Sequence, residues 1–226
     1  MNTGPAFEDS ADRCADALPR TRFLTDRCRL SVDVDGIAVA VFANPTGHDL
    51  VYASDATAEA IDELQFTLGE GPCLETHHFQ APHLIDDLTA STPRWPILAT
   101  ELFPLGVRGI YTFPLSTRQD GPVGVLELHR TRPRTLTPAQ YRSAQRFAAA
   151  LAPTIVTELR TLTDTPWRND HHLFRRANVP VAARLIAGRL GIPAADAELR
   201  LRAAAYADYC TVSDLADSIV AGHRTL

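Results

Sequence analysis

The sequence predicts an α+β fold, with an antiparallel sheet flanked by helices, followed by an all-α module of three helices. Three observations predict it. Over residues 17–162 the apolar patterning runs in the order helix, two strands, helices, strand, hairpin and closing helix. The runs Gly109-Ile110-Tyr111-Thr112-Phe113-Pro114-Leu115 and Val123-Gly124-Val125-Leu126-Glu127-Leu128 flank Asp120-Gly121, a hairpin signal. Beyond Pro166 the strand signal does not return, and three helical segments follow.

Each element has a local reason. Residues 1–16 are polar and acidic and read as a flexible N-terminus. Pro19 can set the first turn of a helix over residues 18–30. Ile37-Ala38-Val39-Ala40-Val41-Phe42 is a continuous apolar run, the pattern of a buried strand. Asn44-Pro45-Thr46-Gly47 is a turn signal, and Leu50-Val51-Tyr52-Ala53 returns as a second strand. Residues 58–64 read as a short helix, His83-Leu84-Ile85 as a strand, and residues 96–102 as a helix opened by Pro96. Thr137-Pro138 starts a long helix to Leu162. Its residues Phe147, Leu151, Ile155, Val156 and Leu159 recur at helical spacing. That stripe is more than one sheet needs, which points to a homodimer through these helices.

The break falls at residues 163–169, and residues 170–226 form the second unit. Its first helix spans residues 170–190, with Pro180 near the middle as a kink or restart. Gly191 is its stop, Pro193 opens a second helix to Tyr209, and Thr211 caps a third with Asp214 three residues on. Val212, Leu215, Ala216, Ile219 and Val220 form one apolar stripe on that third helix.

Composition excludes several classes. The chain has 226 residues, 45% hydrophobic and 22% charged, room for one large or two modest domains. It contains no run of 18 apolar residues and no visible secretory signal, so a cytoplasmic protein with no membrane partner is expected. Cys14, Cys28, Cys73 and Cys210 match no zinc or redox spacing and read as reduced thiols. All 22 basic residues are arginine. Residues 166–226 hold 8 Arg against 6 acidic residues, a balance of +2, and residues 1–165 hold 14 against 21, or −7. A basic tail on an acidic body is compatible with nucleic-acid contact.

The densest motif is Gly69-Glu70-Gly71-Pro72-Cys73-Leu74-Glu75-Thr76, read as a tight loop and followed downstream by Arg94-Trp95-Pro96. A cysteine near Glu75, His77 and His78 could be a nucleophile. Against that, Glu70 and Glu75 would raise its pKa, and no resolving cysteine lies close in sequence. His77, His78 and His83 could be metal ligands, but adjacent rings diverge on a regular backbone, so surface histidines are the simpler reading. No catalytic residue, metal or cofactor is expected.

Together with the Gly109–Leu115 and Gly121–His129 hairpin, these motifs resemble the GAF domains of actinobacterial GAF–ANTAR proteins. Arg189-Leu190-Gly191-Ile192-Pro193 and Arg200-Leu201-Arg202-Ala203-Ala204-Ala205-Tyr206 resemble the ANTAR module that follows in that family. The resemblance implies a GAF sensor over residues 17–162 and an ANTAR module over residues 170–226 that binds tandem stem-loops in mRNA leaders and favours antitermination. It implies a ligand pocket lined by Glu70, Cys73, Trp95, Tyr111 and Phe113, for an unknown small molecule or in place of it a signalling protein. It also implies an RNA surface of Ala182, Ala183, Arg184, Arg189, Arg200 and Arg202. Where the family ordinarily reads Ala-(Lys or Thr)-Gly-(Met or Ile), this chain reads Ala182-Ala183-Arg184-Leu185. The cyclic-nucleotide pattern is absent, and Cys73 is followed by Leu74 where bilin attachment needs histidine. The alternatives are a DNA-binding regulator using the last two helices, a Cys73 redox enzyme, and a degenerate family member acting as a protein-interaction module. Asp214 and Asp217 on the last helix oppose the DNA reading.

Overall fold

The computed structural model describes residues 17–42, 47–91, 94–163, 174 and 176–226. The expected flexible N-terminus with Cys14, the turn at residues 44–46 and nearly all of the expected linker lie outside them. Pro19 occupies the first turn of α1 (Pro19–Val32), and Asp33 ends it in a left-handed conformation. Strands β1 (Gly36–Phe42) and β2 (His48–Ala53) follow as an antiparallel pair. Helix α2 (Ala56–Leu68) is longer than its sequence pattern suggests. Asp55 caps its start by accepting from the Ala58 N–H at 2.9 Å, and Gly69 at φ 68° caps its end.

Helix α3 (Pro72–Phe79), strand β3 (His83–Ile85), and helices α4 (Leu88–Ser91) and α5 (Pro96–Leu102) lead to the hairpin of β4 (Gly109–Thr117) and β5 (Gly121–Arg130). The five strands run β2-β1-β5-β4-β3, with every pairing antiparallel. One sheet face carries Ile37, Val39, Tyr111, Phe113, Leu126 and Leu128 against α1 and the long helix α6 (Pro138–Thr163). The other face carries Ala40, Thr112, Val125 and Glu127 toward α2 and α3.

The α6 stripe is used within the chain. Leu151 and Ile155 are fully buried against the sheet, and Phe147, Val156 and Leu159 pack beside them. Leu151 and Ile155 are therefore not free to join two chains, whereas Phe147, Val156 and Leu159 are only partly buried. Pro153 lies inside α6 on an exposed position, where the carbonyl it leaves without an N–H partner can bond water.

Helices α7 (Val179–Leu190), α8 (Ala194–Ala207) and α9 (Val212–Val220) build a second core from Ala182, Ile186, Ala197, Leu201, Val212 and Leu215 among others. Helix α7 starts at Val179, so Pro180 lies in its first turn instead of kinking its middle. Proline has no N–H to offer an upstream carbonyl, and only the first turn asks for none. Thr211 caps α9 by accepting from the Asp214 N–H at 3.0 Å. Val220, expected in the α9 stripe, is 37% exposed. One residue of the second core comes from elsewhere: Phe66 of α2.

The sheet is tightest where β1 meets β5. A Cβ on Gly124 would lie 2.1 Å from the Ala40 carbonyl oxygen of the neighbouring backbone. Gly124→Ala is expected to destabilise the protein by about 2–3 kcal/mol, the cost of overpacking. An unchanged urea midpoint would contradict that spacing.

Candidate functional site

The Gly69–Thr76 segment is a corner between two helices, not a loop. Gly71 sits at φ 135°, where its missing Cβ leaves room for the Gln65 side chain; an added Cβ would lie 2.5 Å from Gln65 Oε1. Pro72 then opens α3, and Cys73, Glu75 and Thr76 all stand on that helix. Their positions divide inside from outside. Cys73 and Thr76 face the sheet, where Thr76 Oγ1 and Thr112 Oγ1 are 2.6 Å apart. Glu75 faces outward and explains the Arg94-Trp95 motif. Its Oε1 accepts from Trp95 Nε1 at 3.1 Å, and Arg94 pairs with both of its oxygens. Glu70 accepts the Leu98 N–H at 3.3 Å, at the start of α5.

Under the corner lies a buried polar chain. Gln65 donates its Nε2 to Glu127 Oε2 at 2.7 Å and accepts the Cys73 N–H through Oε1 at 2.8 Å. Burial pushes the Glu127 carboxyl up to about 8, against the Gln65 hydrogen bond and helped by nearby Asp62. Its Oε1 has no partner among the described residues. Cys73 is 2% exposed, and burial first, then Glu127 and Asp62, push its thiol pKa well above the ordinary value. Glu70 and Glu75, the expected cause, are not among the groups responsible.

Beside that chain, Arg176 enters from the segment before α7. Its Nη2 donates to Asp62 Oδ2 at 2.7 Å and Glu63 Oε2 at 2.8 Å, its Nη1 to the His48 carbonyl at 3.2 Å, and its backbone N–H to Asp49. Burial pushes Asp62 upward, but the Arg176 guanidinium and then His48 outweigh it and hold the carboxyl well below the usual carboxylate range. The Arg176 guanidinium lies 3.9 Å from the Phe66 ring centre, and that of Arg202 lies 4.3 Å from it. Arg202 also donates to the Phe66 carbonyl and pairs with Glu198 at 2.7 Å.

His48, Asp62 and Cys73 bring one nitrogen, one oxygen and one sulfur within 4.8 Å of one another, spacing that could suit a metal ion. Both Asp62 oxygens are taken, by His48 Nε2 at 3.0 Å and by Arg176. With a guanidinium in place and the thiol protonated, the cluster is an ion-pair network. The histidines singled out in the sequence separate. His77 stacks on Phe42 with ring centres 3.7 Å apart, His78 is exposed, and His83 bonds Thr76 at 2.9 Å.

Above the corner a cleft of about 710 Å³ opens between α3, Arg94-Trp95 and α8. Of the expected pocket residues, Glu70 and Trp95 line it, and Cys73, Tyr111 and Phe113 do not. Tyr111 and Phe113 point to the opposite sheet face, where Tyr111 donates to the Arg134 carbonyl and Phe113 packs on Tyr141. Alternation along a strand puts Thr112 on the α3 side instead. Of the expected RNA residues, Arg184, Arg189 and Arg200 are exposed and have no ion-pair partner among the described residues. Ala182 and Ala183 are buried between helices, and Arg202 is 7% exposed against Phe66, so neither alanine nor Arg202 joins the exposed arginines.

Comparison with known proteins agrees with the sheet and its two helical covers. The model of the GAF domain family matches residues 11–167. The chain belongs to the GAF domain family. GAF domains are signal-sensing domains of sensor proteins, and this one carries three more helices. No curated protein matches the chain. Among solved structures it is similar to a domain assigned to a two-component sensor histidine kinase of Sinorhizobium meliloti 1021, with 14% identity, TM-score 0.52, and 66% of this chain and 96% of that one covered. It also matches the GAF3 domain of a Synechocystis sp. PCC6803 protein in its photoproduct state, with 14% identity, TM-score 0.49, and coverage of 67% and 99%. A GAF domain from a phosphoenolpyruvate-protein phosphotransferase of Coxiella burnetii matches with 14% identity, TM-score 0.49, and coverage of 68% and 98%. No helix among the described residues is long and apolar enough to cross a membrane.

Sequence reasoning missed Asp62, Gln65, Phe66, Glu127 and Arg176. A signal for the α2 residues existed: Ala58, Ile61, Asp62, Gln65 and Phe66 recur at helical spacing, so two polar residues interrupt an apolar stripe. Nothing local marks Arg176.

Two outcomes follow from the network. Folded Glu127 stays protonated up to about 8, whereas an unfolded glutamate ionises near ~4.3. Its contribution is full below that lower value and is lost as pH rises through about 8. Relative to the native chain, Glu127→Gln should therefore gain more than ~1 kcal/mol between pH 5 and 8. A pH-independent difference in chemical denaturation would refute this. Arg176→Met strands a buried carboxylate and should cost about 3–5 kcal/mol. Combined with Asp62→Asn, the cost should fall short of the sum by about 1–3 kcal/mol; simple additivity would show that the two residues do not interact.

Proposed function

We propose that this GAF protein is a signal-responsive transcription antitermination regulator. In this reading the GAF domain senses a small molecule or a partner protein, and the three C-terminal helices act as an ANTAR module that binds tandem hairpins in mRNA leaders. The observation that carries the reading is the division among the arginines of the C-terminal unit. Arg184, Arg189 and Arg200 face solvent without partners among the described residues, and Arg202 and Arg176 turn inward onto Phe66. Exposed guanidiniums on a small helical unit suit phosphates and splayed loop bases. The GAF half is acidic in balance: residues 1–165 carry 14 Arg against 21 acidic residues.

The protein acts without covalent chemistry in the cytoplasm. Thiolate is the nucleophilic form of cysteine, and the Cys73 thiol is buried and held protonated. Two chains meeting through GAF helices would bring two modules to two hairpins and raise the effective concentration of the second contact. Phe23 and Leu30, exposed at 63% and 69% on α1, supply apolar contact for that pairing.

A second reading, a protein-interaction module, is favoured by the use of Arg176 and Arg202 in holding the C-terminal unit against α2. A DNA-binding role is disfavoured by exposed Asp214 and Asp217 on α9. Arg184→Glu should weaken binding of the purified protein to a two-hairpin leader RNA by more than tenfold, or over ~1.4 kcal/mol, and flatten its salt dependence. Matched duplex DNA is the control. Absence of salt-sensitive binding to every tandem-hairpin RNA tested would remove the antitermination reading and leave the interaction module.

A further inference from the structure

We propose that the cleft between the GAF corner and helix α8 binds a flat aromatic amine, held by both halves of the chain at once. The site belongs to the sensing half of the proposed function and is independent of the RNA half. Between the sheet and its covering helices lies a layer of hydrogen-bonded polar side chains. Cys73, Thr76, Thr112, Gln65 and Glu127 interlock there through side-chain and backbone hydrogen bonds. The cleft lies outside that layer. At about 710 Å³ it is within the range of small-molecule sites.

Its walls select the ligand. Trp95 and Phe79 line it from the GAF side and Leu199 from α8. Phe79 is 61% exposed and Leu199 is 65% exposed, so two large apolar side chains on opposite sides meet only solvent over most of their surface. An aromatic plate between them would bury both. Three carboxylates and two guanidiniums also line the cleft. Arg94 is paired with Glu75, and Arg202 with Glu198 and the Phe66 ring. Each guanidinium is thus already met by a carboxylate, and three carboxylates against two guanidiniums leave the lining one negative charge in excess. Glu70 has no cationic partner among the described residues and uses one oxygen on the Leu98 N–H. An amino group on the ligand answers that carboxylate, and the exposed Phe79 ring can face a cation, the Trp95 ring being already covered by the Arg94 guanidinium at 4.8 Å.

The geometry ties occupancy to docking. Leu199 and Glu198 belong to the helix whose Arg202 lies on Phe66. A ligand touching both walls binds only the docked arrangement and therefore favours it. In an unliganded chain the C-terminal unit would be the freer to leave.

The test is a fluorescence titration of the full chain with proflavine, a planar diamino cation, alongside 2-naphthoate, a planar anion. Proflavine should bind at least tenfold more tightly than naphthoate. Leu199→Arg changes an exposed side chain on the far wall and should weaken proflavine at least tenfold, as should Glu70→Gln. Leu105→Ala, exposed and outside the cleft, should change nothing. Failure of proflavine to bind would overturn the proposal. So would equal binding of naphthoate, or proflavine affinity unmoved by Leu199→Arg in a chain with native circular dichroism. No RNA is present in the titration, so neither result bears on the RNA half, and loss of RNA binding by Arg184→Glu would leave this site standing.

Discussion

Phe66 joins the two parts of this protein because its ring lies between two guanidiniums that both come from the C-terminal unit. A desolvated cation over an aromatic face contributes on the order of 2 kcal/mol, but removing a guanidinium from water costs several kcal/mol unless its charge is met. The charges are met here. Asp62 and Glu63 answer Arg176, Glu198 answers Arg202, and the backbone carbonyls of His48 and Phe66 each accept one further N–H. The acidic pair on α2 is therefore the counterpart of an arginine 114 residues away in the chain. Phe66 itself closes the core of the three C-terminal helices, so that small unit completes its apolar interior with a residue of its neighbour.

The same helix transmits this contact inward. Gln65, next to Phe66, bonds both the corner at Cys73 and the sheet at Glu127. One turn earlier, Asp62 bonds His48 on β2. Helix α2 thus has the C-terminal unit on one side and the interior of the sensor on the other. Displacement of α2 at either side would strain hydrogen bonds at the other. Tyr206 adds an exposed contact between the halves, its hydroxyl 2.8 Å from Glu101.

Much of the fold was legible in the sequence because its causes are local. Asp120-Gly121 made the hairpin, Gly191 stopped α7, and Thr211 capped α9. The parts that were not legible depend on non-local geometry. Alternation along β4 says that Tyr111 and Phe113 share a face, but not which layer that face meets, and they meet α6. The Leu151 stripe reads the same whether it covers a sheet or another chain, and here the sheet takes it. Arg202 sits in a run of residues that resembles an RNA-contacting helix, yet its neighbour in space is Phe66, 136 residues away in the chain. The two glycines of the corner announced a tight backbone path. That Glu75 behind them holds Arg94 and Trp95 required the fold.

The claim on which the rest stands is that the C-terminal unit is held to the sensor by contacts of folded surfaces rather than by the connecting chain alone. It is tested most directly by inserting a protease site after Asp164, cleaving the folded protein, and passing it over a sizing column. The two fragments should elute together from the native sequence and separate when Phe66→Ala and Arg176→Ala are introduced. Separation of the native fragments at micromolar concentration would contradict the account.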